Sequence, residues 1–415
     1  MLACICSTDT RACRAGSDSR AKTASGEAET APLTCCFLSS LIGPPATSMM
    51  GGEPVMAGGS RQVRPDQFNG GMNDAVPAVP LTAWLRSEVP DVKVGDEPVA
   101  VDRISGGHSN LTYRITDAAG TAWALRRPPT GMVLATAHDM SREWRFISAL
   151  ALTPVPVARP VGYCADAGVI GAEFYVMGFV DGEVLGDEDS GHRLDPGDAR
   201  RTAGLDTVDV LADLHAVEPD AVGLGDLRRS GGYLERQLRR WHRQVHESAV
   251  PDLAVVDAAH ERLVARAATL PPSDVRIAHG DYRPGNLSFG PDGRVRAIFD
   301  WELATLGDPL ADLGWLLASW GRPGDTAPPT IAGPNRVGGY PDGDELVARY
   351  AERSGRDVSE LDFYVAFARW RSACIGAGVY SRYAGGVMGA DEPDRGAARL
   401  KSLHDQAEAA LEALT

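Results

Sequence analysis

Lysine is nearly absent from this sequence. Lysines and arginines together number 41 in 415 residues, and only Lys22, Lys93 and Lys401 are lysine. A GC-rich genome accounts for such a bias, but the bias has a chemical consequence. No lysine lies between Lys93 and Lys401, so a cation that grips phosphate inside the body of the chain must be arginine, or histidine at low pH. Cysteine is scarce there too. Five of seven (Cys4, Cys6, Cys13, Cys35 and Cys36) fall in the first 36 residues, leaving Cys164 and Cys374 isolated. An odd, scattered set builds no disulfide framework, and the cysteines show no metal-ligand spacing with nearby histidines. The expectation is a reduced, cytoplasmic protein. Long apolar runs are missing as well. The longest near the start, Leu33–Ile42, is too short to span a bilayer and has no basic segment before it. Positive excess is also lacking. A net charge of −15 and a pI near 5.1 argue against a general binder of nucleic acid or anionic membrane, both polyanions.

What is present is an ordinary globular composition, 44% hydrophobic and 23% charged, in a chain long enough for two domains or one bilobal one. Residues 1–75 are rich in Ala, Gly, Ser, Thr and Pro without sustained periodicity. They read as a disordered extension, or as sequence ahead of a later start at Met49, Met50, Met56 or Met72. A short helix is expected around Leu81–Leu85. Short runs broken by turn residues follow at Val99–Ser105, Leu111–Asp117 and Thr121–Arg126, the pattern of an antiparallel meander. Ala137–Leu150 carries Met140, Trp144, Ile147 and Leu150 at helical spacing, and Val157–Cys164 and Glu173–Val180 read as further strands. From about residue 195 the chain is mostly helical, with one helix over Leu361–Ile375, and residues 321–343 read as a surface loop. The expected organisation is an N-terminal lobe over 76–180 and a C-terminal lobe over 181–415.

The most informative stretch is His279-Gly280-Asp281-Tyr282-Arg283-Pro284-Gly285-Asn286, followed by a short strand and then Phe299-Asp300-Trp301-Glu302. Phosphoryl transfer needs positioning and charge neutralisation more than covalent chemistry. At this spacing Asp281 can accept the proton of an attacking hydroxyl. Asn286 and Asp300 can offer oxygens to Mg²⁺, a hard cation that prefers them. His279 reads as a brace for the loop. The alternative is a capped turn followed by an unrelated surface aspartate.

Four further clusters need weighing. Ser105-Gly106-Gly107-His108-Ser109-Asn110 lies between two strands, where glycine lets backbone amides approach phosphates or simply makes a hairpin turn. Arg126 and Arg127 end the third strand. Period two sends them to opposite faces, so only one can meet the phosphates and pair with Glu143 on the next helix. Arg126 is the choice, since Ala124, on its face, leaves room for an adenine. Asp308-Pro309-Leu310-Ala311-Asp312 reads as a helix start capped by Asp308, with Asp312 free to bond the catalytic loop. Arg228, Arg229, Arg236, Arg239, Arg240 and Arg243, interleaved with Tyr233 and Trp241, form either a site for an anionic acceptor or a solvated helix face. Arg236, Arg240 and Trp241 are the acceptor candidates there, joined by Arg283 beside Asp281.

Together these residues resemble the aminoglycoside phosphotransferase/choline kinase superfamily, over about residues 98–385. Ser105–Asn110 with Leu111–Ile115, Leu125–Pro129, Arg142-Glu143, Phe174–Met177, Tyr233–Trp241 and Asp300–Glu302 are most similar to one branch, the kinase-like domain found alone in bacteria or fused to acyl-CoA dehydrogenases in animals. The resemblance implies an α+β, bilobal, protein-kinase-like fold with a small antiparallel β lobe and a mainly helical C-lobe. It implies ATP and Mg²⁺ as cofactors, Asp281 as base, Asn286 and Asp300 as metal ligands, and a nucleotide hinge over Met177–Val180 that includes Phe179. It also places Arg126 where most kinases carry lysine. The expected partners are a nucleotide and a small acceptor bearing a hydroxyl, of hydroxyacyl type for this branch. An aminoglycoside acceptor and a nucleotide-binding scaffold are the alternatives. No Ala-Pro-Glu segment follows Asp300 to suggest a protein kinase.

Overall fold

The structure, a computed structural model, describes residues 76–89, 92–104, 110–129, 139–321, 328–384 and 393–415. The extension expected over residues 1–75 and the Ser105–Ser109 turn lie outside these residues.

The N-terminal lobe opens with helix α1 (Ala78–Glu88) and strands β1 (Ala100–Ile104), β2 (Leu111–Thr116) and β3 (Ala122–Arg127). Helix α2 (Met140–Leu150), strand β4 (Pro160–Cys164), the one-turn α3 (Ala167–Ile170) and β5 (Phe174–Gly178) complete it. The strands form one antiparallel sheet in the order β1-β2-β3-β5-β4. Strand alternation gives this sheet two buried faces. Trp123 and Leu125 of β3, with Phe174 and Val176 of β5, pack under α1 against Leu81, Trp84 and Leu85. Ala124, Tyr175 and Met177 face the other way, toward Met140, Phe146, Ile147 and Leu150 of α2. Each of the large aliphatic and aromatic side chains here contributes about 1.5–3 kcal/mol on burial. Asp139 caps α2 by accepting the Arg142 N–H at 2.9 Å. Phe146 then stacks on Trp301 of the C-terminal lobe, ring centroids 6.2 Å apart.

The C-terminal lobe begins with β6 (Glu183–Val184), α4 (Glu188–Gly191), α5 (Asp198–Ala216), α6 (Tyr233–His246) and α7 (Ala254–Ala267). Then come β7 (Arg276–Ala278), β8 (Leu287–Phe289), β9 (Val295–Ile298) and β10 (Thr305–Gly307). Helices α8 (Pro309–Trp320), α9 (Gly343–Ser354), α10 (Leu361–Ala384) and α11 (Pro393–Glu412) end the chain. β8 and β9 make the expected hairpin, joined by β6. β10 returns to pair antiparallel with β7, so the 279–286 loop and Asp300 are enclosed by one pair of strands. Helix α8 is apolar nearly all round and buried accordingly. A Cβ on its Gly314 would sit 2.6 Å from the Tyr364 backbone, so only glycine allows α8 and α10 this close.

One expectation changes. Helix α10 continues past Ile375 to Ala384, through Gly376 and Gly378. Packing against α11, where Leu403 lies next to Gly376, outweighs the low helix propensity of glycine. The described part of the 321–343 loop is tied down: Trp320 Nε1 donates to the Pro341 carbonyl at 3.0 Å, and Asn335 Nδ2 to the Trp320 carbonyl at 2.7 Å. Among the described residues no helix is long and apolar enough to cross a membrane.

Candidate active site

The loop after β7 is held from several sides. Asp312 of α8 accepts the N–H groups of His279, at 2.6 Å, and Gly280, at 2.8 Å. Gly280 has φ +84°, and a Cβ there would lie 2.7 Å from the Leu303 carbonyl oxygen, so the turn requires glycine. Arg371 of α10 donates to the Gly280 carbonyl at 2.7 Å. His279 is fully buried: its Nδ1 accepts the Asp281 N–H at 3.2 Å, which leaves Nε2 to donate to the Phe299 carbonyl at 2.8 Å. It therefore braces the loop, as its place in the sequence suggested.

This scaffold fixes the Asp281 carboxylate, 2% exposed. Oδ1 accepts from Trp315 Nε1 and Oδ2 from Asn286 Nδ2, both at 2.8 Å. Arg283 is buried beside it, with Nε 3.7 Å from Oδ2. Asn286 Nδ2 also donates to the Asp281 backbone carbonyl at 2.8 Å. Its amide hydrogens are thus committed to Asp281, and Oδ1 remains as the atom it can offer a cation. Asp300 adopts φ +65°, ψ +62°, the sole left-handed non-glycine backbone among the described residues. For a carboxylate residue that conformation costs about 1–2 kcal/mol. An amide oxygen and a carboxylate oxygen are hard donors of the kind magnesium takes, so these residues fit that ion.

Facing them, the N-terminal lobe presents a cation with its own support. Arg126 Nε lies 3.0 Å from Glu143 Oε2, its Nη2 bonds Asp300 Oδ1, and Glu302 Oε2 is 3.7 Å away. Glu143 also accepts from Asn110 Nδ2 at 2.8 Å and from the Tyr175 hydroxyl at 2.9 Å. Burial works against the Arg126 charge, but the carboxylates of Glu143, Asp300 and Glu302 outweigh it and hold its pKa well above normal. Burial pushes the Glu143 carboxyl up to about 7, against the downward pull of Arg126. Arg127 points into the opposite layer, where Nη1 donates to the Ile170 carbonyl at 2.9 Å. The period-two reading of β3 therefore selected the inward arginine correctly.

The fork of Arg126 reaches two carboxylates at once, which an ammonium matches poorly. Arg126→Lys is expected to lose one charge-assisted hydrogen bond, about 1.5 kcal/mol, or roughly tenfold in kcat/KM for the nucleotide. Steady-state kinetics with the nucleotide varied checks this, and an unchanged kcat/KM would remove Arg126 from the site.

Other candidates are placed differently. Met177 is buried on β5 opposite Ala124, and Phe179, half-buried, lies under the Arg114 guanidinium 4.6 Å from its centroid. Ser105, Gly106 and Gly107 lie outside the described residues. Trp241 needs correcting: it is 1% exposed, packed in the core with Arg371 at 5.2 Å, and cannot meet an acceptor. Arg240 stacks over the same ring at 5.2 Å. Arg236 turns back onto the carbonyls of Ser230 and Gly231. Arg228 pairs with Asp220 and Arg239 with Glu235, so the arginine-rich segment is divided among local contacts. Reading the sequence as single elements missed Tyr175, Glu302 and Arg371. Tyr175 was within reach, because it pairs directly with Arg126 in the β3–β5 register.

Behind the loop, His215 Nε2 donates to Asp312 Oδ2 at 3.3 Å, and its Nδ1 meets the Tyr350 hydroxyl at 2.7 Å. Burial holds the His215 pKa below its usual value despite Asp312. Burial pushes Asp312 up, but hydrogen bonds from His215 and Gly280 outweigh that and hold it low. In both cases the unfolded chain binds more protons, so stability falls as pH drops: first below about 6.5 through His215, then below about 4 through Asp312. Glu143, held up at about 7, contributes with the opposite sign over the same range. The His215 contribution is therefore read as the Tm difference between wild type and His215→Gln, which should shrink as pH falls from about 7 toward about 5. A difference independent of pH would refute the neutral-histidine assignment.

The profile of the phosphotransferase enzyme family matches residues 100–368. The chain belongs to the phosphotransferase enzyme family. It is 34% identical over 319 residues to acyl-CoA dehydrogenase family member 11 of Gallus gallus, an alignment covering 74% of this chain and 40% of that protein. The chain thus spans about two fifths of that curated relative. Among solved structures, a Ralstonia eutropha JMP134 protein, provisionally described as an aminoglycoside phosphotransferase, superposes with a TM-score of 0.66 at 33% identity, covering 82% of this chain and 98% of that one. The GDP complex of aminoglycoside 2'-phosphotransferase-IIIa gives a TM-score of 0.52 at 16% identity, over 80% and 98% of the two chains, a likeness of fold alone. The family is that of the aminoglycoside phosphotransferases, and the branch is the kinase-like one expected from the sequence. The α+β bilobal kinase-like fold is confirmed with it.

Proposed function

We propose that this phosphotransferase moves the γ-phosphoryl group of ATP to a hydroxyl on a small hydroxyacyl compound, with Asp281 as the base. The observation that carries the reading is the Asp281 carboxylate itself, buried and aimed by Trp315 and Asn286 at 2.8 Å each. A carboxylate fixed in this way can take the acceptor's proton as the oxygen attacks phosphorus. Arg126, supported by Glu143, would lie along the nucleotide phosphates and neutralise their charge. Asn286 and Asp300 would hold magnesium, which supplies positive charge to the phosphate oxygens when bound. Arg283 would restrain the acceptor or the transferred group at Asp281.

Two features support a hydroxyacyl acceptor. The Gallus gallus relative carries the name of an acyl-CoA dehydrogenase family member. In the C-terminal lobe, a cavity of about 790 Å³ is walled by Leu238, Val264 and Leu270, with Arg239 and Arg243 on α6, and it reaches Asp308, the cap of the helix bearing Trp315. Its apolar walls suit an acyl chain, and its rim carries both signs, Arg239 and Arg243 beside Glu235 and Asp308. ATP consumption measured against hydroxyacyl-CoAs, free hydroxy acids, amino alcohols and aminoglycosides, with Asp281→Ala as control, tests this. Turnover confined to aminoglycosides would replace the acceptor, and nucleotide binding with no turnover on any class would favour the scaffold reading.

A further inference from the structure

Away from the Asp281 centre, α6 and α7 bring two histidines and a carboxylate to one point. His242 and His246 stand four residues apart on α6 and so share a face. Both Nε2 atoms meet the same oxygen of Asp257 on α7: His242 at 3.0 Å and His246 at 2.8 Å from Oδ1. One ligand atom from each of the three residues lies within 4.8 Å of the others. A tetrahedral ion about 2.0 Å from each donor sets donor–donor separations near 3.3 Å, a change of only a few tenths of an ångström for the two His–Asp pairs. We propose that His242, His246 and Asp257 bind a divalent transition-metal cation of zinc type, clipping α6 to α7.

The chemistry selects the ion. Two imidazoles and one carboxylate suit zinc-type cations, whereas magnesium prefers an all-oxygen set. The side chains are 33%, 45% and 38% exposed, so an ion can enter from solvent and retain a water as fourth ligand. His242 is oriented independently of Asp257. His260 of α7 stacks on it, ring centroids 3.9 Å apart and planes 13° from parallel, and His260 in turn stacks on Trp370 at 5.4 Å. The two helices wall the apolar cavity, α6 through Tyr233, Leu238 and His242, α7 through His260 and Val264. The ion would fix the spacing of those walls.

The test titrates the metal-stripped full chain with Zn²⁺, and separately with Co²⁺, against His246→Gln and Asp257→Asn. Both replacements fall on partly exposed side chains, and melting without metal verifies folding. The wild type should bind one equivalent more than either variant, or bind it at least about 100-fold more tightly. Zn²⁺ should raise the wild-type Tm and not that of the variants. The Co²⁺ difference spectrum should show ligand-field bands without the thiolate charge-transfer band that the N-terminal cysteines would produce. Equal stoichiometry and affinity in all three proteins, or a difference spectrum dominated by thiolate, would overturn the proposal.

Discussion

Asp281→Ala is expected to lower kcat by at least about 10³-fold, at the upper end of what a positioned general base contributes, while nucleotide affinity stays within about threefold. The two halves of this prediction rest on different bonds. Asn286 Nδ2 donates once to the Asp281 carboxylate and once to the Asp281 backbone carbonyl, each at 2.8 Å. Truncation removes the first and leaves the second, so Asn286 keeps its orientation and the proposed metal donor survives. Trp315 Nε1 is not so fortunate. It is buried and loses its acceptor, at a cost of about 1–3 kcal/mol in stability. Asp281→Ala should therefore melt lower, bind nucleotide in calorimetry and fail to turn over. Unchanged kcat would remove Asp281 as base. Lost nucleotide binding with an unchanged melt would instead mean that the carboxylate belongs to the metal set.

The legibility of this site in sequence divides along a physical line. Asp281, Asn286 and Asp300 could be read because one loop–hairpin unit carries them, and local spacing fixes local geometry. Arg126 could be read because a strand has period two, and the cap at Asp308 because Asp-Pro starts helices. Trp241 misled for a related reason. Interleaved with arginines it resembles a binding face, but on a helix, position decides exposure, and its face is the one turned into the core toward Arg371. Arg371 could not be read at all. It lies 91 residues beyond Gly280, and only the packing of α10 against α8 brings its guanidinium to that carbonyl. The cavity is hidden for the same reason: its walls come from α6, α7 and the segments leading into β7 and α8. Contacts within an element follow from periodicity, whereas contacts between elements depend on which helices pack.

Asp312→Ala is expected to be the most destabilising single change at the site, by about 3–5 kcal/mol, without touching any proposed ligand. The carboxylate is 1% exposed and accepts from two backbone N–H groups and an imidazole. Alanine leaves all three donors buried without their acceptor. Whole-domain stability is only about 5–15 kcal/mol, so the loss is a large fraction of it. Thermal melting should fall by on the order of 10 °C. Asp312→Asn separates charge from shape. Its amide oxygen can still accept one of the N–H groups, but its NH₂ faces donors, so it should recover less than half of the loss. Activity should fall in both variants with kcat affected more than the nucleotide KM. Asp312 fixes His279 and Gly280, which set the direction of Asp281, whereas Arg126 and Glu143 are supported from the other lobe. A melt within about 1 kcal/mol of wild type for Asp312→Ala would mean that Arg371 and the β7–β10 pairing suffice to hold the turn.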